Sequence, residues 1–354
     1  MKDKIDQIIQ QAIKDQIFPG ACVGIVTKAG ERFTLPFGTF FGEGSQDITE
    51  DSIFDVASIT KSVVTSSLAL KLLDEGKLHI SDKVADYVPE LSNSYKNEIT
   101  VFHLLTHTLD FGFRLSSLKD KEPDAILKAL YSSELKAPPG TTFFYSNATS
   151  ILLGIVVSRV FESHTLKGDI AFQADRLFFT PLEMTRTCFN PLDRFSKDEI
   201  VPTEIDTWRD ETIQGVVHDE SAFTLQKEMY VGSAGLFSTV PDLLHFVEML
   251  LHEGEFHGTR YFSTDIIKQI HTNQITSLGL YAGLGWELAQ ARYMGDYASR
   301  HCFGKTGFTG CVMMIDPMRE KGLVFLSNYT FPKRKQSADI INEVRRGIAD
   351  IIFR

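Results

Sequence analysis

The sequence predicts an α+β protein in which N- and C-terminal helices flank one antiparallel sheet and a mostly helical lobe is inserted between its strands. Strand-like runs stand near both ends of the chain, while the section from Ser58 to about Asn273 is mostly helical with long loops. Strands from both ends can share a sheet only if the helical section, which lies between them in the sequence, packs outside that sheet. We therefore expect one domain over residues 1–354, with an α/β lobe of 1–57 and 275–354 and a helical lobe of 58–274.

Local patterns predict each element in turn. Apolar residues at helical spacing indicate a first amphipathic helix, and Pro19-Gly20 ends it before a strand at 21–27. The Ala29-Gly30 turn leads to a second strand at about 32–37, and a third strand-like run covers 53–56. A long helical pattern then runs from Ser58 until Gly76 stops it. Strands return at the end of the chain, before a closing amphipathic helix, at residues 302–305, 311–315 and 323–326.

Composition limits the classes of function. The chain has 354 residues, of which 43% are hydrophobic, so it can bury a substantial core. Its net charge of -10 argues against nucleic acid or an anionic membrane as a partner, so we expect a small-molecule substrate. The sequence does not predict the oligomeric state. Four scattered cysteines without a Cys-x-x-Cys pair fit a reducing compartment. With neither a signal peptide nor a membrane span recognised, we expect a cytoplasmic location, or a periplasmic or secreted one if an export segment was removed.

A serine and a lysine three residues apart open the long helical pattern. Ser58 and Lys61 would lie on one helix face with their Cβ atoms about 5–6 Å apart, within reach of each other. A serine hydroxyl is a weak nucleophile at neutral pH and needs such a base beside it. A serine at a helix start also lies near free backbone N–H groups, which suit an oxyanion. The same spacing at residues 116–119 and 133–136 lacks this context.

Two strings farther along the chain complete the pattern, Tyr145-Ser146-Asn147 and Lys305-Thr306-Gly307. A cation such as Lys305 would lower the pKa of Tyr145, a second candidate base, and also that of a buried Lys61. Each string alone also fits a structural role, as a helix cap, a core aromatic or a solvated lysine on an edge strand. Together, Ser-x-x-Lys, a polar-x-Asn string and Lys-Thr-Gly match serine β-lactamases and penicillin-binding proteins.

The chain resembles the β-lactamase-related serine hydrolases, which include class C β-lactamases, D,D-peptidases, D-aminopeptidases and β-lactamase-like esterases. The resemblance covers nearly the whole chain and is carried by residues 54–61, 99–108, 139–147, 215–220, 234–239 and 303–310. It implies a β-lactamase/transpeptidase-like fold and an enzyme that needs neither a cofactor nor a metal.

The resemblance also implies a role for each candidate residue. Ser58 would be the nucleophile, with Lys61 and Tyr145 as the acid/base pair. Asn147 would contact Lys61 and the substrate amide, and Lys305 would hold a substrate carboxylate or tune Tyr145. The remaining substrate-binding positions are Thr306, Gly307 and Phe308, with the backbone N–H groups of Ser58 and Phe308 forming the oxyanion hole.

Two positions depart from the family pattern. Leu109-Asp110 stands where Ser-Gly is usual, and Ser233 stands where a histidine is frequent. We expect neither to contact the nucleophile's immediate neighbours, but both suggest altered loops near the cleft.

Other chemistries find less support. His103 and His107 have the i, i+4 spacing of a zinc helix but lack its adjacent glutamate, and Gly-x-Ser-x-Gly does not occur. The leading hypothesis is a serine hydrolase that acts through an acyl-enzyme on a small, carboxylate-bearing ester, amide or β-lactam. Esterase, D-amino-acid peptidase and β-lactamase activities stay open, as does whether Lys61 or Tyr145 takes the first proton. The alternative is a non-catalytic, penicillin-binding-like protein that keeps the pocket without turnover.

Overall fold

A computed structural model describes residues 1–164 and 168–354. Its α-helices are α1 (Lys2–Lys14), α2 (Ser67–Asp74), α3 (Val84–Tyr87), α4 (Val101–Thr106), α5 (Pro123–Ser132), α6 (Asn147–Ser163), α7 (Ile170–Ala174), α8 (Glu220–Leu225), α9 (Val240–Leu251), α10 (Thr264–Ile270), α11 (Ala291–Met294) and α12 (Asp339–Phe353). Its strands are β1 (Gly20–Thr27), β2 (Arg32–Gly38), β3 (Phe54–Asp55), β4 (Glu204–Asp206), β5 (Glu211–Ile213), β6 (Phe237–Ser238), β7 (Glu255–Phe256), β8 (Thr259–Arg260), β9 (Glu287–Leu288), β10 (Phe303–Thr306), β11 (Val312–Asp316) and β12 (Lys321–Ser327).

The main sheet has six strands in the order β2-β1-β12-β11-β10-β9, and all neighbours are antiparallel. Ala21 pairs with Ser327 where β1 meets β12, so the two ends of the chain share the centre of the sheet. The predicted α+β fold, with one antiparallel sheet and helices from both termini, is confirmed. The sequence did not predict the edge strand β9, which has only two residues and follows an irregular loop.

Alternating side chains bury both faces of the sheet. In β1, Ala21, Val23 and Ile25 belong to the core beneath α1 and α12, while Cys22 and Val26 point into the core on the opposite face. The terminal helices contact each other and cover the first face. Their buried positions include Ile5 and Ile9 of α1 and Ile341 and Ile348 of α12.

The opposite face packs against α9, which contacts β1, β11 and β12. Gly24 of β1 permits this approach, because a Cβ atom there would lie 2.2 Å from Val240 Cγ1. α9 falls within the segment that we assigned to the helical lobe, so part of that segment covers the sheet. The division into two lobes stays a prediction.

Most other helices of residues 58–274 join one large apolar core. α6 is its longest helix, and it contacts α2, α3, α4 and α7. Short two-stranded ribbons that the sequence did not predict, β4–β5 and β7–β8, lie in the same segment, and β3 pairs with β6. None of the helices in the described ranges is long and apolar enough to cross a membrane.

Candidate active site

Ser58 lies in a turn between β3 and a helical segment. Lys61 begins a π-helical stretch, Lys61–Ser66, that continues into α2, and its backbone N–H donates to the Ser58 carbonyl over 3.1 Å. Ala57 has a φ of 48°, a left-handed conformation that is unusual for alanine. The buried Asp55 carboxylate supports this turn by accepting hydrogen bonds from the N–H groups of Ala57 (2.8 Å) and His218 (2.7 Å).

The Lys61 side chain is buried and joins three segments of the chain. Its Nζ donates to Ser58 Oγ over 3.0 Å, to Asn147 Oδ1 over 2.9 Å and to the Ser233 carbonyl over 2.6 Å. Burial lowers the pKa of Lys61; Tyr145 counteracts this, whereas Lys305 lowers the pKa further. The net shift is downward, which makes this amine a better base at neutral pH.

Ser233 therefore corrects one expectation. We expected the two departures from the family pattern to stay away from the nucleophile's neighbours, but the main-chain carbonyl of Ser233 contacts Lys61 directly. Any residue at this position can supply that carbonyl, which is why the side-chain identity gave no signal. Leu109 is fully buried, and Asp110 accepts a hydrogen bond from the Gly112 N–H within its own loop.

Tyr145 stands between two ammonium groups. Its ring centre lies 4.0 Å from Lys305 Nζ and 5.3 Å from Lys61 Nζ, and its ring packs against His107 at 5.0 Å. Burial of the phenol raises its pKa, but the charges of Lys305 and Lys61 lower it by more, so the net shift is downward. Tyr145 is 41% exposed, and this exposure belongs to the ring, since the hydroxyl faces Ser58 and the two amines.

Asn147 begins α6 and is held in one orientation. Its Nδ2 donates to Asp219 Oδ2 over 2.8 Å, which leaves Oδ1 to accept from Lys61. Asp219 is itself fixed as the N-cap of α8, where it accepts from the Ala222 N–H. The sequence indicated Asn147 as a site residue, whereas it indicated Asp219, within the 215–220 string that resembles the family, only as part of a loop near the cleft.

Glu287 is the most important residue that sequence reasoning missed. It lies on β9 opposite Gly304, and its Oε1 is 2.7 Å from Lys305 Nζ, while Oε2 is 3.1 Å from Arg292. Burial raises the pKa of Glu287, but Lys305 and Arg292 lower it to about 2. In return, Glu287 raises the pKa of Lys305 despite burial. Lys305 is thus a paired cation, which favours tuning of Tyr145 over a role as the sole partner of a substrate carboxylate.

Replacing Glu287 with glutamine is expected to destabilise the fold by about 3 kcal/mol at neutral pH, because Lys305 would keep a buried charge without its partner. A carboxyl whose pKa is depressed on folding stabilises the protein above its ordinary pKa of 4.5, and this stabilisation disappears as the pH falls toward about 2. Urea unfolding of both proteins should therefore show the largest difference near pH 7 and convergence in acid.

Two variants serve as controls for this prediction. Arg292→Gln removes the other cation of Glu287, but because that side chain is 58% exposed the expected loss is under about 1 kcal/mol. Combining Glu287→Gln with Lys305→Met removes both buried charges and should recover part of the lost stability. A Glu287→Gln protein as stable as the parent at pH 7 would contradict the prediction.

Two candidate oxyanion-hole donors, the backbone N–H groups of Ser58 and Phe308, belong to residues that line the same cleft. Within residues 1–164 and 168–354, neither the Ser58 N–H nor the Phe308 N–H has a hydrogen-bond acceptor. Gly307 lets the two segments approach, because a Cβ atom there would lie 2.5 Å from the Val56 carbonyl oxygen. Free donors placed in this way suit a developing oxyanion. The Phe308 ring is exposed and stacks on His218 at 5.6 Å.

The turn that carries Phe308 is held from two sides. Thr309 Oγ1 donates to the Asp55 carbonyl over 2.7 Å, which ties the turn to the Ser58 segment. The buried Arg345 guanidinium of α12 donates to the carbonyls of Gly307 and Cys311, both over 2.9 Å. Burial lowers the pKa of Arg345 to about 10. Because its position in α12 is remote from every recognised string, the sequence gave no indication of this contact.

The site opens onto a cleft with a volume of about 540 Å³. Ser58, Tyr145 and Asn147 lie along it, as do Thr306 at the end of β10 and Gly307 and Phe308 in the turn that follows. His103 and His107, which have the spacing of a zinc helix, are found in different surroundings. His103 Nδ1 accepts a hydrogen bond from the Thr100 N–H over 3.1 Å, and burial keeps the pKa of His107 well below its ordinary value.

Comparisons with known proteins agree with this arrangement. The sequence model of the Beta-lactamase family matches residues 5–345. A protein of Escherichia coli (strain K12), provisionally named D-alanyl-D-alanine carboxypeptidase, is 29% identical over 321 residues, covering 82% of this chain and 72% of its own. The structure of EstCE1, a hydrolase with promiscuous acyltransferase activity, aligns over 100% of this chain and 98% of its own with a TM-score of 0.76 and 19% identity. The D-alanine carboxypeptidase AmpC from Burkholderia cenocepacia gives a TM-score of 0.73 at 20% identity, with 99% and 98% covered.

Proposed function

The chain belongs to the β-lactamase family of serine hydrolases, and we propose that it acts through an acyl-enzyme formed on Ser58. The observation that carries the proposal is the 3.0 Å contact between Lys61 Nζ and Ser58 Oγ. An amine at this distance, with its pKa lowered, is the activating base that a serine nucleophile needs. Asn147 and the Ser233 carbonyl support the proposal by fixing where that amine stands.

In the acylation step, Ser58 Oγ attacks the substrate carbonyl carbon, and its proton passes to the Lys61–Tyr145 pair. The carbonyl oxygen becomes an oxyanion, which accepts hydrogen bonds from the N–H groups of Ser58 and Phe308. The bond to the leaving group then breaks, and the pair returns the proton to the leaving atom. Since the two groups interact closely, they titrate as a unit.

Deacylation repeats these steps with water as the nucleophile. Water attacks the acyl carbon, the Lys61–Tyr145 pair takes its proton, and Ser58 Oγ departs with that proton. Lys305 contributes through its charge, which lies against the Tyr145 ring and favours the phenolate. Thr306 and Gly307 form the wall along which the substrate lies.

We propose a small ester, amide or β-lactam substrate that carries a carboxylate. The name of the Escherichia coli relative points to a peptide amide with such a group. Two exposed cations of the cleft, Arg114 and Lys335, make no ion pair with any described residue, so their charges are available to an anion. Lys305, by contrast, is already paired with Glu287.

A cytoplasmic location stays our expectation, in keeping with four free cysteines.

Intact-protein mass spectrometry tests the acyl-enzyme. The protein is mixed with a panel of β-lactams, esters and D-amino-acid amides and quenched in acid at short times. The expected result is a mass gain equal to the acyl group, which peptide mapping locates on Ser58 and not on Ser116 or Ser133. Saturable binding without any mass gain would contradict the proposal and support a non-catalytic ligand-binding protein.

A further inference from the structure

A second cavity of about 190 Å³ adjoins the cleft on the far side of Tyr145. Both spaces are lined by Tyr145, Glu287 and Arg292, so they meet at the candidate acid/base residue. Ser58 lines the cleft but not this cavity. The apolar and aromatic part of its wall comes from Leu105, Phe143, Tyr281, Ala282 and Trp286.

Several polar side chains of this wall are engaged within the protein. Gln290 Nε2 donates to the carbonyls of Leu288 and Tyr281, over 2.9 and 3.1 Å. Thr106 Oγ1 donates to the Phe102 carbonyl over 2.8 Å, and Ser62 Oγ donates to the Gly285 carbonyl over 3.1 Å. Two nitrogen atoms of lining residues, Trp286 Nε1 and His107 Nδ1, are buried without a hydrogen-bond partner among the described residues. A molecule in the cavity therefore meets mainly carbon atoms, and any hydrogen bond it gains is with these two nitrogen atoms.

The charges around the cavity are also paired or screened. Lys305 contacts Glu287 over 2.7 Å, and Arg292, the other partner of Glu287, exposes 58% of its side chain to water. His107 is neutral, because burial holds its pKa well below the ordinary value. Lys61 also lines the cavity, but its Nζ already donates three hydrogen bonds, to Ser58 Oγ, Asn147 Oδ1 and the Ser233 carbonyl. A carboxylate placed here would lose its hydration without gaining a buried cation that has a free donor, which is unfavourable.

We propose that this cavity is the site of the leaving group, and that it accepts an uncharged apolar group such as an aromatic alcohol released from an ester. The inference rests on the proposed function. In that reaction, Ser58 Oγ forms a bond to the acyl carbon while the bond from that carbon to the leaving oxygen breaks. The leaving oxygen receives its proton from the Lys61–Tyr145 pair, so the departing alcohol must lie on the Tyr145 side. The carboxylate of the substrate then belongs to its acyl part, in contrast to a D-alanyl-D-alanine peptide, whose free carboxylate departs with the leaving D-alanine.

Two acetate esters test the assignment, one of benzyl alcohol and one of methanol. Both form the same acyl-enzyme, and their alcohols have similar acidity, so a difference in kcat/KM reports the leaving-group site. We expect the benzyl ester to be preferred. Ala282→Leu, which fills the cavity, should lower the benzyl-to-methyl ratio of kcat/KM about 10-fold. The matched control is Ala291→Leu, an exposed position of α11 outside the cavity lining, and it should leave the ratio unchanged.

A binding measurement keeps the inference testable without turnover. Trp286 lies in the cavity wall, so 3-nitrobenzyl alcohol should quench its fluorescence in a Trp208→Phe background, and Ala282→Leu should abolish the quenching. Absence of quenching, or a benzyl-to-methyl ratio that Ala282→Leu does not change, overturns the inference. If either of these results occurs while an acyl adduct still forms on Ser58, the proposed function stands and only the leaving-group site is wrong. If quenching occurs but no adduct forms, the proposed function is wrong and the cavity is only a binding site for apolar molecules.

Discussion

Ser58→Ala is expected to lower kcat by about 10⁴-fold or more on any substrate that the parent protein hydrolyses, since no other group can form the acyl-enzyme. The alanine removes only the Oγ atom. The turn keeps its support from Asp55, and Lys61 keeps its contacts with Asn147 and the Ser233 carbonyl, so the fold and the cleft should persist. Steady-state hydrolysis of an ester, with thermal unfolding measured in parallel, provides the check.

Ser133→Ala is the matched control for this variant, because Ser133 and Lys136 repeat the Ser-x-x-Lys spacing. Ser133 ends α5, and its Oγ donates to the Phe111 carbonyl over 3.4 Å, away from the cleft. Its removal should leave kcat unchanged. If Ser58→Ala hydrolysed an ester as fast as the parent protein while Ser133→Ala did not, the nucleophile would have been assigned to the wrong serine.

The sequence indicated the site because its chemistry depends on side chains in short strings. Ser58 and Lys61 are three residues apart, and the turn that carries Ser58 runs directly into the helical segment that carries Lys61, so a local spacing rule predicted their contact. The convergence of Tyr145 and Lys305 depends on tertiary structure, and only the resemblance to a family implied it. Apolar runs bounded by turn residues likewise predicted the central strands of the sheet, because β1 is long and its apolar residues point into cores on both faces.

What the sequence did not indicate comes from main-chain atoms and from isolated residues. Lys61 contacts the main-chain carbonyl of Ser233, and because every residue type has such a carbonyl, the identity of the residue does not indicate the contact. Glu287 lies on a strand of two residues, too short for any periodicity, and its pairing with Lys305 depends on the register between β9 and β10. Arg345 acts from the last helix on a turn 34–38 residues earlier, a contact that no local pattern encodes.

Tyr145→Phe is expected to lower kcat/KM by about 10²- to 10⁴-fold, the usual contribution of a positioned acid/base group. The phenylalanine ring can still pack against His107 and the Lys305 side chain, so the loss should come from the missing phenol and not from unfolding. Tyr131→Phe in α5, away from the cleft, is the matched control and should retain full activity. A Tyr145→Phe protein with the kcat/KM of the parent would exclude the phenol from proton transfer.

The pH dependence of the remaining activity distinguishes the two candidate bases. A Tyr145 phenolate attracts the proton of Lys61 and raises its pKa, so removal of the phenol should lower that pKa further. If Lys61 takes the proton of Ser58, the acid limb of the kcat/KM profile should move to lower pH in Tyr145→Phe, because Lys61 then loses its proton more easily. If Tyr145 takes that proton, most of the activity should disappear with the phenol, and the acid limb of the small remaining activity should not follow the lowered pKa of Lys61.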